Sequence, residues 1–129
     1  MVNTLYLKHS LGVIILICFL HIVGIKFHLY WEFWWFDIVQ HFLGGVWVAL
    51  TSLWFVYFSG IIKRPFRPKE AVVLAFISIL VIGTGWEVFE YIFGIAVIQE
   101  NYCIDTTIDF IMDFLGAGTS TYYIIKKQV

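Results

Sequence analysis

The length of the uninterrupted apolar runs constrains this chain most. A helix crosses the hydrocarbon core of a bilayer with about 20 mostly apolar residues. Four stretches reach that length, at about residues 11–30, 36–58, 71–95 and 105–125. Outer-membrane strands would alternate polarity over about ten residues, whereas these runs are longer and apolar on every face. The chain is 61% hydrophobic and 13% charged over 129 residues, with a mean hydropathy of +0.89. A soluble domain is roughly 45–50% apolar and about 25% charged, and one this short could not hide so much apolar surface from water. The expected fold is therefore all-α: a multi-pass four-helix transmembrane bundle, one domain over residues 1–129, with connections at 31–35, 59–70 and 96–104. Lys8 followed by an apolar stretch has the order of a signal peptide. No small-x-small cleavage site follows, so this segment reads as a retained first helix.

Basic residues set the expected orientation. Lys8 lies before the first helix; Lys63, Arg64, Arg67 and Lys69 lie in the second connection; Lys126 and Lys127 follow the last helix. Four spans bring all three places to one face, which holds seven of the eight basic residues. That face, with both termini, is expected to be cytoplasmic. Lys26, near the outer end of the first helix, can snorkel to the interface. Pro65 and Pro68 are expected to keep the second connection from becoming helical. Tyr30, Trp31, Trp34 and Trp35 crowd the first outer connection, where an aromatic belt belongs.

The acids are distributed the opposite way. Only Glu70 falls at the cytoplasmic face; the other eight, from Glu32 to Asp113, fall in outer connections or outer helix halves. Asp37 and His41 are four apart on the second helix and share a face. Glu87 and Glu90, three apart on the third, do the same. On the fourth, Asp105, Asp109 and Asp113 form a slowly drifting stripe, with Asp105 placed as an N-cap. His21 and His28 share a face of the first helix. By helical rise, His21, His41, Glu87, Glu90, Asp109 and Asp113 fall in one slab of depth, and a bundle can point them all inward. One ionised residue at a helix centre costs roughly 2.5–3.5 kcal/mol on insertion scales, so four such carboxylates cost on the order of 10 kcal/mol. Lys26 and the histidines are the only basic groups nearby. Some carboxylates must therefore stay protonated, or a cation must bind. One imidazole and several carboxylates suit Zn²⁺, Mn²⁺ or Mg²⁺. The expected ligands are His41, Asp109 and Asp113, with Glu87 or Glu90 as general base and Asp37, Asp105 and His21 in support.

Other features read as structural. His28 is an interfacial residue, and Trp86 and Phe42 are packing residues. Gly44, Gly45, Gly83, Gly85, Gly116 and Gly118 permit close helix approach. The Gly83-Thr84-Gly85 triplet opens no phosphate-binding helix, so no nucleotide or organic cofactor is expected. Cys18 and Cys103 form neither a disulfide framework nor a metal knuckle. No basic run with interleaved aromatics speaks for nucleic acid.

Asp37-xxx-His41-Phe42, Trp86-Glu87-xx-Glu90 and Asp105-Thr106-xx-Asp109-xxx-Asp113-xx-Gly116-Ala117 resemble the YjdF-type inner-membrane proteins, a bacterial family without assigned function. The order of these pieces is also similar to the VanZ-like membrane proteins, with Glu90 where an amide is expected. The resemblance covers about residues 37–117. It implies a bacterial cytoplasmic membrane location and a site made of His41, Glu87, Glu90, Asp105, Asp109 and Asp113. Three functions are open to such a chain. One is a metal-dependent enzyme acting on lipid or lipid-linked headgroups at the outer leaflet. A second is a non-catalytic assembly or binding protein, whose acids lock helix packing. The third is a proton or cation pathway, which the nearly apolar inner half opposes and which would need a homo-oligomer to form a pore.

Overall fold

A computed structural model describes residues 2–94 and 102–128. The chain forms α1 (Val2–Lys26), a short α2 (Leu29–Glu32), α3 (Trp35–Leu53) continued by a π-helical turn (Trp54–Phe58), α4 (Pro68–Phe93) and α5 (Tyr102–Gln128). Among the described residues there is no strand. Three helices are long and apolar enough to cross a membrane: Thr4–Lys26, Trp35–Phe58 and Pro68–Phe93, with mean hydropathies of 2.0, 1.4 and 2.1. A fourth long helix, α5, is present, and Asp105, Asp109 and Asp113 make it the least apolar. Most of the connection expected at 96–104, with Glu100 and the end of the third run at Ile95, lies outside the described residues.

Three local expectations are corrected. The first helix does not run to residue 30. It begins at Val2 and stops at Lys26, and His28 then takes a left-handed conformation (φ 57°), a region in which histidine is several-fold enriched over most residues. The chain folds back there because Tyr30 and Phe36 pack edge to face, 4.9 Å apart, over Gly24. A Cβ at Gly24 would fall 2.6 Å from the Phe36 ring and 2.7 Å from Tyr30. Pro68 does not exclude a helix but starts one, since it opens α4. The missing N–H costs nothing at a first helical position, where it would be unpaired anyway. Pro65 stays in the extended segment before it. Asp105 is not an N-cap, because Tyr102, Cys103 and Ile104 precede it within α5.

Helix α3 is the centre of the molecule. It packs on α1, α4 and most extensively on α5, while α5 also packs on α4. The α3–α5 pair is held close by two glycines. A Cβ on Gly45 would collide with the Asp113 carbonyl oxygen, and one on Gly116 would collide with the Phe42 carbonyl oxygen. This is the small-residue route to backbone approach in membranes. Towards one end of the bundle Ala49, Leu53, Ala71, Ala75, Ile79, Ala117 and Ile124 form the buried core, joined by Tyr6, whose ring lies tilted against Phe58 at 4.9 Å. A 2.7 Å hydrogen bond between Ser10 and Thr51 ties α1 to α3. Among the described residues the α1 and α4 backbones do not approach each other closely. Their outer faces expose Phe19, Ile22, Val73, Ile77 and Val81. Apolar exposure this continuous marks a surface made for lipid rather than water.

Candidate functional site

The acids expected to meet do meet, away from the apolar core, where α3, α4 and α5 come together. His41 lies on the buried face of α3 one turn after Asp37, because four residues return a helix nearly to the same direction. Glu87 and Glu90 project from the last two turns of α4, and Asp109 and Asp113 from the first half of α5. Five of these side chains are almost fully enclosed: relative exposures are 5% for His41, 7% for Glu87, 6% for Glu90, 2% for Asp109 and 4% for Asp113. Asp37 and Asp105 are half-buried.

His41 is the hub. Its Nδ1 lies 3.4 Å from Asp113 Oδ1, while Nε2 lies 3.7 Å from Asp109 Oδ1 and 3.9 Å from Asp37 Oδ2. Neither Nε2 nor Glu87 Oε1 has a hydrogen-bond partner. The other Glu87 oxygen accepts a 2.8 Å hydrogen bond from Thr106, which fixes the carboxylate against α5. Three sets of donors each fall within 4.8 Å of one another: His41, Glu87 and Asp109; Asp37, His41 and Glu90; and Asp37, Asp105 and Asp109. Opposite ligands around a zinc-sized ion stand at most about 4.4 Å apart, given bonds of about 2.0–2.2 Å. A slight side-chain rotation therefore closes any of the three sets on an ion. Among the described residues no lysine or arginine pairs with these acids; the two arginine ion pairs, Arg64 and Arg67 with Glu70, are in the loop before α4 and its first turn.

Asp113 stands on the Nδ1 side of His41, opposite the nitrogen that faces Asp109, and is absent from the three sets. Room for its carboxylate comes from Gly83, where a Cβ would fall 2.7 Å from Oδ2; a Cβ on Gly44 would lie in ordinary contact with Oδ1, at 3.8 Å. The repeat of one aspartate every four residues gives no sign of this division, because a helical stripe turns slowly and its members end on different sides of a neighbour.

His21 does not reach the acids directly. Its Nδ1 is 2.7 Å from the Tyr30 hydroxyl, which also accepts a 3.2 Å hydrogen bond from Gln40 Nε2. Burial pushes the Tyr30 phenol up to about 12, so the hydroxyl keeps its proton, and the His21 tautomer decides which of the two donates. Sequence spacing did not single out Tyr30 or Gln40; Gln40 neighbours His41, and that adjacency was the available signal. Tyr30→Phe leaves His21 Nδ1 and the Gln40 amide unpaired. The expected cost is about 1–3 kcal/mol, read as a lower thermal midpoint in detergent, and an unchanged midpoint would show the relay to be dispensable. His28 and Lys26 are exposed at the turn after α1, with Lys26 5.7 Å above the Phe27 ring.

Residues 5–128 match a family described as predicted membrane protein (DUF2238). No curated protein and no solved structure matches the chain. The family match bears out the YjdF-type resemblance and lends no support to the VanZ-like one.

Proposed function

From the premise that this chain belongs to the DUF2238 family of predicted membrane proteins, we propose that it is a four-span protein of the bacterial cytoplasmic membrane. In this proposal it binds a divalent cation at His41, Glu87 and Asp109 to act on the polar heads of outer-leaflet lipids. The supporting observation is the meeting, within 4.8 Å, of donors from three helices, with His41 Nε2 and Glu87 Oε1 buried and unpartnered. With the Nδ1 proton directed at Asp113, Nε2 faces two carboxylates. It carries a proton when the site holds no ion and gives it up to a cation that takes the same place. A cation there removes much of the insertion cost of the acids.

The chemistry such an ion supplies is polarisation of a phosphoryl or carbonyl oxygen and a more acidic bound water. The surrounding side chains have separable tasks. Asp113 orients the imidazole from its far nitrogen, the common arrangement for a ligating histidine. Thr106 holds Glu87 in one rotamer. Glu90, grouped with Asp37 and His41 but outside the His41–Glu87–Asp109 set, is free to accept a proton from water at the site. The basic residues of the loop and termini support an outward position for this end of the bundle.

Metal content tests the proposal. Protein purified without a histidine tag is expected to carry near-stoichiometric divalent metal, which a folded Glu87→Gln/Asp109→Asn variant loses. Absence of metal from the unaltered protein, even after reconstitution with Zn²⁺, Mn²⁺ and Mg²⁺, overturns it. Asp113→Asn is expected to keep the site but weaken metal affinity about 10–100-fold, the usual effect of losing an orienting partner; competition with a chromophoric chelator measures it.

A further inference from the structure

Between α1 and α4, whose backbones stay apart, the structure leaves a lateral fissure floored by α3. Its volume is about 270 Å³. The walls are apolar: Ile14, Ile17 and Cys18 on one side, Ile82 and Trp86 on the other, and Trp47 below. One end is polar, formed by Tyr30, Gln40, Asp37 and His41. There Gln40 Oε1 is buried without a hydrogen-bond partner, like His41 Nε2. A second cavity of about 490 Å³ shares Trp47, Val48 and Ile82 with the first and continues along α3 to Phe55. From His41 to Phe55 the helical rise amounts to about 21 Å, more than the roughly 15 Å depth of one leaflet.

We infer that this groove holds one acyl chain of a phospholipid that enters sideways from the bilayer, with its glycerol and phosphate end at Tyr30, Gln40 and the His41 cluster. This deepens the proposed function and rests on it for the role of the head end. The shape of the groove favours a lipid chain: the two joined cavities, about 270 and 490 Å³, run as an apolar strip along α3 that a single flexible chain can follow. Polarity selects the orientation: the orphaned Gln40 oxygen needs a hydroxyl or water-borne donor, and a phosphate can approach the acids when a cation lies between them. The fissure opens between two faces already clad in lipid-facing side chains, including Phe19 at 61% and Ile82 at 53% exposure.

The test is photolabelling in vesicles of phosphatidylethanolamine containing a minor fraction of phosphatidylglycerol with a diazirine at mid-chain. Adducts are mapped by peptide mass spectrometry. Labelling at Ile14, Cys18 and Trp47 is expected to exceed that at the outward residues Phe19 and Val73 several-fold. Ile14→Trp, which fills the fissure without touching the acids, is expected to bring Trp47 labelling down to the Phe19 level while bound metal is unchanged; Ile82→Trp on the facing wall serves the same purpose if the first variant does not fold. Groove labelling that persists in a metal-free Glu87→Gln/Asp109→Asn variant supports the groove. If the unaltered protein also proves metal-free, the groove stands and the metal reading alone fails. Equal labelling of Trp47 and Phe19 overturns the groove, as does a Cys18–Cys18 cross-linked dimer that excludes the lipid probe.

Discussion

Gly116→Leu is expected to yield no monodisperse folded protein. At that position any Cβ runs into the backbone of α3: the Phe42 carbonyl oxygen first, then the Val46 nitrogen at 2.9 Å. Overpacking a core costs about 1–3 kcal/mol when side chains can yield, but a helical backbone yields much less readily. Relief requires α3 and α5 to separate, and that separation also pulls Asp109 and Asp113 away from His41. The combined loss is expected to exceed about 3 kcal/mol. Gly118→Leu is the control, because a Cβ there meets nothing within 4 Å. Size-exclusion profiles and thermal midpoints of the two variants should differ sharply. Similar behaviour would show that the α3–α5 contact is looser than described.

The second large effect is expected at His41. Truncation to alanine removes the one basic group inside a ring of carboxylates, four of which, Glu87, Glu90, Asp109 and Asp113, are themselves buried. Breaking a buried charged pair costs about 3–5 kcal/mol, chiefly because the remaining charge is left uncompensated. Neutralising one of those carboxylates should therefore recover part of the loss. In the cycle of His41→Ala, Asp113→Asn and the double variant, the two changes are expected to couple by about 0.5–3 kcal/mol. Strict additivity in denaturation midpoints would place the stability of the cluster elsewhere.

Much of this architecture was legible in the sequence because bilayer thickness fixes helix length. The run at 36–58 became Trp35–Phe58, and the run at 71–95 corresponds to Pro68–Phe93 within the described residues. The convergence of His41 with Glu87, Glu90 and Asp109 followed from depth alone, since helices of similar span place equivalent rises at equivalent levels. The ends of α1 were not legible. Apolarity continues past Lys26 through Phe27 and Leu29, and the break depends on Tyr30 and Phe36 reaching back over Gly24, a contact between residues six to twelve positions apart. The division of labour between Asp109 and Asp113 was likewise hidden. It depends on which edge of one imidazole each carboxylate meets, and helical periodicity is too coarse to say. The Tyr30–His21–Gln40 relay joins α1, α2 and α3, and spacing within one helix carries no trace of it.

The presence of three aspartates in α5 has a consequence for biogenesis. The long helices α1, α3 and α4 can each partition into the bilayer as they are made, being apolar enough on their own. In isolation α5 pays for its acids with no histidine beside them. Its entry must therefore be cooperative, drawn in against α3 by the close glycine contact and by His41, which already waits at the right depth. The chain then has a late step in assembly: until α5 docks, α3 lacks its most extensive helix contact and the carboxylates of α5 lack their histidine. Variants at His41 or Gly116, which weaken that docking, are expected to accumulate in the membrane to lower levels than Gly118→Leu.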